Sequence, residues 1–201
     1  MGISIHESFM QYVKEKNSSK EEIDLYDENR KYIRTIYRGD TIKQSEWKKC
    51  VLCFVIDIEG NVIIEIKYDN QKDLCSGHIK HNEVATQAVL RELYEENGIL
   101  FEEAMQVRHL DNIKISFEET NQELQCFLDV FCLFRTKEKS LRVNESEMKG
   151  IQRIPFKKFL EVFLNNEIFP YTTAYKPIVE KLEKLYQERF ENNKVPLGIE
   201  R

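Results

Sequence analysis

No stretch of the 201-residue sequence is both long and apolar enough to cross a bilayer, so no membrane partner is expected. The opening MGISIHESFMQYVKEKN has neither a basic start nor an apolar h-region, which argues against a secretory signal and predicts a soluble, cytoplasmic, globular chain. Ile5, Phe9 and Val13 instead recur with the helical period and predict a short helix with one apolar stripe. A basic excess is also lacking: 35 acidic residues against 30 basic ones leave a formal charge of −5, so no specific nucleic-acid partner is expected. Small anionic substrates stay open to such a chain when a metal neutralises them. A second CxxC or a His pair to accompany Cys50 and Cys53 is missing, and residues three apart on a strand point to opposite faces, which argues against structural zinc. The five cysteines (50, 53, 75, 126 and 132) lie mostly in apolar, strand-like runs and are expected to be buried thiols. Internal repeats and low-complexity segments are absent.

What is present is a succession of strand and helix patterns. IDLYDENRKYIRTIYR alternates around a polar turn and reads as a hairpin, and CVLCFVIDIEGNVIIEIKY gives a stronger one around Glu59-Gly60-Asn61. A loop from Asp69 to Asn82 precedes a helix expected from about Glu83 to Asn97, buried along Ala85, Val89 and Leu93 and stopped by Gly98. Strands are expected at about 106–118 and 123–135 around EETNQ, then a short one at about 149–154 after an acidic loop from Asn144 to Glu147. Pro155 starts a helix carrying Phe156, Phe159, Leu160 and Phe163, and a last helix from about Thr172 to Phe190 carries Ile178, Leu182, Leu185 and Tyr186. This predicts an α/β fold, a mixed central sheet with helices on its faces.

The chemistry concentrates on the helix before Gly98. Glu92, Glu95 and Glu96 stand at i, i+3 and i+4, so their side chains share one face. Like charges so placed cost ~0.2–0.5 kcal/mol per pair unless a cation lies between them, and hard divalent ions with oxygen ligands, Mg²⁺ or Mn²⁺, are the natural compensation. Alone, such a run reads as a solvated acidic face. The surrounding spacing weighs against that: Gly77, Glu83 after five intervening residues, and after seven more Arg91-Glu92-Leu93-Tyr94-Glu95-Glu96-Asn97-Gly98-Ile99. This fills every fixed position of GX5EX7REUXEEXGU, and in it the chain resembles the Nudix hydrolases.

The resemblance implies an α/β/α sandwich over residues 46–201, preceded by a helix and hairpin extension over 1–45. It implies hydrolysis, by water attacking phosphorus, of a small phosphorylated substrate of the nucleotide class, a nucleoside diphosphate linked to another group; a homodimer is compatible with it. The metal ligands it implies are Glu92, Glu95, Glu96, the Ser76 carbonyl and Glu147. Arg91 would act by orienting Glu83 or Glu95 through a bidentate pair. Gly77 would let the backbone approach the metals, and Asn82, where many members have glycine, tolerates positive φ. Lys67 resembles the basic residue that holds substrate phosphate, and Lys80, at a frequently acidic position, implies a changed phosphate contact. For the base that takes the water's proton, NESEMKGIQRIP offers Glu145 and Glu147, of which Glu147 fits the family's acidic loop better; Glu92 is the alternative.

DLCSGHIKHNE and DLYDENRKYI also resemble the isopentenyl diphosphate isomerase branch of the same fold. That chemistry uses a cysteine just before Gly-His, where this chain has Ser76, with Cys75 one residue early; His78 and Glu123 are the remaining echoes. A nucleotide-sensing module without catalysis is the other alternative, but such modules commonly lose box carboxylates that are all kept here. With no proline between Gly98 and Pro155 and no tyrosine between Tyr94 and Tyr171, several familiar substrates of the family lose their markers and none is selected.

Overall fold

The computed structural model describes residues 4–17, 20–117, 124–137, 140–165, 167–168 and 173–192. Helix α1 (Ile5–Asn17) leads into a hairpin of β1 (Glu22–Tyr26) and β2 (Tyr32–Tyr37). The second hairpin is β3 (Lys48–Ile56) and β4 (Asn61–Lys67), followed by the short strands β5 (Lys72–Asp73) and β6 (Cys75–His78). Then come α2 (Ala85–Asn97), the single turn α3 (Phe101–Ala104), β7 (Arg108–Phe117), β8 (Leu124–Phe134), β9 (Met148–Pro155), α4 (Phe156–Leu164) and α5 (Lys176–Tyr186). Among these residues no helix is long and apolar enough to cross a membrane.

The main sheet has seven strands in the order β5-β4-β3-β8-β7, with β6 added to β3 and β9 to β4. The pairing of β3 with β8 is parallel and the others antiparallel, so the sheet is mixed as the sequence predicts. β3 meets β4 only where Ile56 faces Val62. Beyond that point the strands part: β3 takes β6 as its partner, from Cys50 opposite His78 to Cys53 opposite Cys75, while β4 takes β9. That divergence leaves a cleft flanked by strand ends.

The alternation along β3 sorts its side chains between two layers. Val51, Cys53 and Val55 join Ala88, Val89 and Leu93 of α2 in one core, and Leu52, Phe54 and Ile56 join Phe159, Phe163, Ile178 and Leu182 of α4 and α5 in the other. The result is an α/β/α sandwich. Cys50 and Cys53 fall on opposite sides, and all five cysteines are free thiols.

The N-terminal elements dock on this body. Tyr26 and Trp47 exchange backbone hydrogen bonds of 2.9 and 2.8 Å, and the His81 N–H donates to the Glu22 carbonyl at 2.8 Å. In α1, Phe9 and Val13 are buried, and Phe9 lies 4.8 Å from Phe101 and edge-on to Tyr94, a burial that contributes on the order of 2 kcal/mol.

Local departures from expectation have local causes. The loop 69–82 contains β5 and β6, too short to show a period. The helix starts at Ala85 and not at Glu83, because Glu83 N–H closes a turn onto the Lys80 carbonyl and Asn82 has φ +58°. The last helix starts at Lys176 after a 3-10 turn over Thr173–Tyr175, and widens to π over Gln187–Glu191. The EETNQ turn, Glu123 and Thr172 lie outside the described residues.

Candidate active site

Both ends of α2 are fixed by backbone that few residues adopt. Gly98 has φ +66°, its N–H returns to the Tyr94 carbonyl at 3.0 Å, and the Ile99 N–H returns to that of Leu93. At the other end the left-handed Asn82 turns the chain so that Glu83 faces the helix.

Inside this frame the fully buried Arg91 organises the acids. Its Nε and Nη2 reach the two oxygens of Glu83 at 2.8 and 3.0 Å, and its Nη1 donates to Glu92 Oε1 at 2.7 Å and to Glu95 Oε2 at 3.0 Å. Nη2 also donates to the His78 carbonyl at 3.0 Å, tying α2 to β6. The sequence left open whether Arg91 pairs Glu83 or Glu95; it contacts both. Glu83 further accepts the Lys80 N–H at 2.9 Å and the Tyr12 hydroxyl. Burial works to raise the Glu83 carboxyl, yet its bonds from Arg91 hold it below the ordinary range.

Glu96 lies deeper. Its Oε2 accepts the Ser76 N–H at 3.1 Å and its Oε1 accepts Lys67 Nζ at 3.2 Å. The same ammonium reaches Glu65 Oε2 at 2.8 Å, and Glu65 Oε1 accepts Asn97 Nδ2 at 2.9 Å. Burial pushes Glu92 up to about 7 against the pull of Arg91, and raises Glu96 well above the carboxylate range, Glu65 and Glu92 adding their charge. For Lys67, burial opposes the charge but Glu96 and Glu65 overcome it and raise its pKa. Carboxylate oxygens of Glu65 and Glu96 and the Sγ of Cys75 all lie within 4.8 Å of one another. Among the described residues, the cationic side chains that contact Glu65, Glu92, Glu95 and Glu96 are Lys67 and Arg91, and the carboxylates offer hard oxygen. These residues fit a divalent cation.

The acids open onto a cleft of roughly 810 Å³. Its lining includes Ser76, Gly77, Glu92, Glu95 and Glu96, with Lys67 and Asp73 and, from the loop before β9, Glu147. Glu145, the other candidate in that loop, is not among the lining residues, and its carbonyl accepts the Tyr68 hydroxyl. Lys80 lines the cleft too, but its ammonium donates to the Lys16 carbonyl at 3.3 Å and to Asn17 Oδ1 at 3.0 Å, so it also closes the end of α1. Cys75, one residue from Ser76, is buried in the core behind α2 and absent from the cleft lining. Burial, with Glu96 and Glu65, pushes its thiol up.

Several contributors carry no motif. Asp73, raised to about 6 by burial, reaches the cleft through β5, and Asn17, Glu21 and Arg38 reach it from the extension. Glu65 did leave a trace: a single carboxylate within NVIIEIK, whose Val62, Ile63 and Ile64 are all buried, is out of place unless it has partners.

Gly77 is required by contact. A Cβ there would lie 1.9 Å from Glu92 Oε1, so Gly77→Ala must turn the Glu92 carboxylate away from Arg91. The expected result is a kcat about 10- to 100-fold lower together with a lower melting temperature, since the buried Arg91 loses one of its carboxylate partners, read by parallel kinetics and thermal denaturation.

The comparisons with known proteins agree with this fold. No curated protein matches the chain in sequence at a significant level. Among solved structures, DR0079 from Deinococcus radiodurans shares the fold at 21% identity and TM-score 0.57, over 85% of this chain and 99% of that one. The NUDIX domain of Shewanella oneidensis NrtR, solved with ADP ribose, shares it at 12% identity and TM-score 0.52, over 74% and 93%. The family model of the NUDIX domain matches residues 47–175, from the first residue before β3 to the turn before α5. The chain belongs to the Nudix family, and is a hydrolase of phosphorus-containing acid anhydrides.

Proposed function

We propose that the chain hydrolyses the diphosphate bond of a nucleoside diphosphate linked to another group, using Mg²⁺ or Mn²⁺ held by Glu92, Glu95, Glu96, Glu147 and the Ser76 carbonyl. The observation that carries this reading is that Glu147, from a loop far along the chain, lines the same cleft as the three glutamates of α2. A divalent ion held by these residues would offset the charge on the diphosphate oxygens and ease the loss of a proton from water, which attacks one phosphorus while the bridging P–O bond breaks and the other phosphate leaves. Glu147 accepts the proton of that water, Glu92 being the alternative. Arg91 touches no substrate: it holds Glu92 and Glu95 in place through the bonds above. Lys67, bonded to Glu65 and Glu96 at the cleft, meets the substrate's phosphate, and Lys80 contributes from the cleft wall. Residues 1–45 act as an extension that walls the cleft of a hydrolase domain over 46–201. The ADP ribose held by the Shewanella domain is one compound of the proposed class.

A panel of nucleoside triphosphates, nucleoside diphosphate sugars, dinucleoside polyphosphates and dinucleotide cofactors, incubated with Mg²⁺ or Mn²⁺, tests the reading through release of phosphate, pyrophosphate or a phosphatase-sensitive product. One class is expected to stand at least about 10-fold above the rest in kcat/KM, since contacts to the group beyond the diphosphate discriminate by that much. No turnover of any member with either metal overturns the proposal.

A further inference from the structure

Glu95 is held from two sides, and one of them lies outside the box. Its Oε2 accepts Arg91 Nη1 at 3.0 Å, while its Oε1 accepts Asn17 Nδ2 at 2.7 Å. Asn17 is the last residue of α1, and its Oδ1 accepts Lys80 Nζ at 3.0 Å. An ammonium only donates and a carboxylate only accepts, so a single orientation of the Asn17 amide satisfies both neighbours. The helix end that carries it is seated independently: Lys16 Nζ donates to the His81 carbonyl at 2.6 Å, the Tyr12 hydroxyl bonds Glu83, and Phe9 and Val13 are buried. Asn17 also lines the cleft itself.

We propose that Asn17 is a positioning residue for the metal site: bridging Lys80 and Glu95, it sets the Glu95 carboxylate, and thereby makes the N-terminal helix part of the machinery. The inference rests on the reading of Glu92, Glu95 and Glu96 as metal ligands. The terminal torsion of a glutamate is soft and roughly two-fold. Arg91 fixes one oxygen only. The Asn17 amide fixes the other, leaving the remaining lone pairs of the carboxylate for a cation. Asn17 lies outside the matched span 47–175, so the device belongs to this chain's extension and not to the domain that defines the family.

The test compares Asn17→Ala, Lys16→Ala and Glu96→Gln with the wild-type full chain, by Mn²⁺ titration followed by electron paramagnetic resonance, by kinetics and by melting temperature. Asn17→Ala is expected to weaken Mn²⁺ binding about 10-fold, the usual effect of removing a hydrogen bond to a metal ligand. Saturating Mn²⁺ should restore its kcat, with the substrate KM unchanged. Lys16→Ala, which removes a neighbouring anchor of the same helix end without touching a carboxylate, should bind Mn²⁺ as the wild type does. Wild-type affinity in Asn17→Ala overturns the proposal, as does an equal loss in Lys16→Ala, which would assign the effect to an unseated helix. Undiminished Mn²⁺ binding by Glu96→Gln overturns the metal reading itself, whatever Asn17→Ala does.

Discussion

Glu96→Gln is expected to lower kcat by about 10³-fold or more, equivalent to about 4 kcal/mol of transition-state stabilisation. Glutamine keeps the shape and removes what the position supplies. Both oxygens of Glu96 accept from donors, Ser76 N–H and Lys67 Nζ, so an amide must turn its NH₂ against one of them. The buried site loses a negative charge as well, and with it much of its hold on a divalent ion. Raising the Mg²⁺ concentration should recover little of the rate, because the lost group acts on the bound state and not only on occupancy. Unaltered turnover in this variant, or by the wild type in excess chelator, would sink the metal assignment.

Glu147→Gln is expected to lower kcat by about 10²- to 10⁴-fold at saturating metal while changing KM far less, as loss of a general base does, whereas loss of a metal ligand alone would be recovered by raising the metal concentration. Glu145→Gln is the control. Both residues are exposed in one loop, but only Glu147 lines the cleft, so charge alone would affect them equally and proton transfer would not. If the two variants lose similar small factors, Glu147 is loop charge and the base must be sought at Glu92. The comparison needs a true substrate, since a poor one that leaves the loop open hides the difference.

What the sequence made legible follows from how local each feature is. Glu92, Glu95 and Glu96 share one helix, so periodicity alone places them together, and Gly77 and Gly98 mark where backbone must come close or turn left-handed. The hairpin at Glu59-Gly60-Asn61 was likewise legible from neighbouring residues. Glu65 and Asp73 were not singled out, because they reach the site through a register between β4 and β5 that two-residue strands do not advertise. Asn17 was invisible for a different reason: nothing in a helix-ending asparagine tells which carboxylate, 78 positions later, it will meet. The family's pattern marks Lys80 as a phosphate contact, and Lys80 does line the cleft; its additional bonds to Lys16 and Asn17 come from N-terminal residues that the pattern does not contain.

The parallel pairing of β3 with β8 also governs when the chain acquires its chemistry. A parallel partner must wait for a long crossover, here one that includes α2 itself, and the entropy of closing that loop is lost before any pairing offsets it. On a ribosome the acidic helix therefore emerges well before β8 joins β3, and before β9 completes the sheet by bringing the Glu147 loop onto β4. Until then the glutamates form an acidic segment with no cleft to line. A cation that binds only the finished arrangement adds its binding free energy to the native state alone, so it acts as a lock on a completed molecule, slowing unfolding without hastening the steps that build the site.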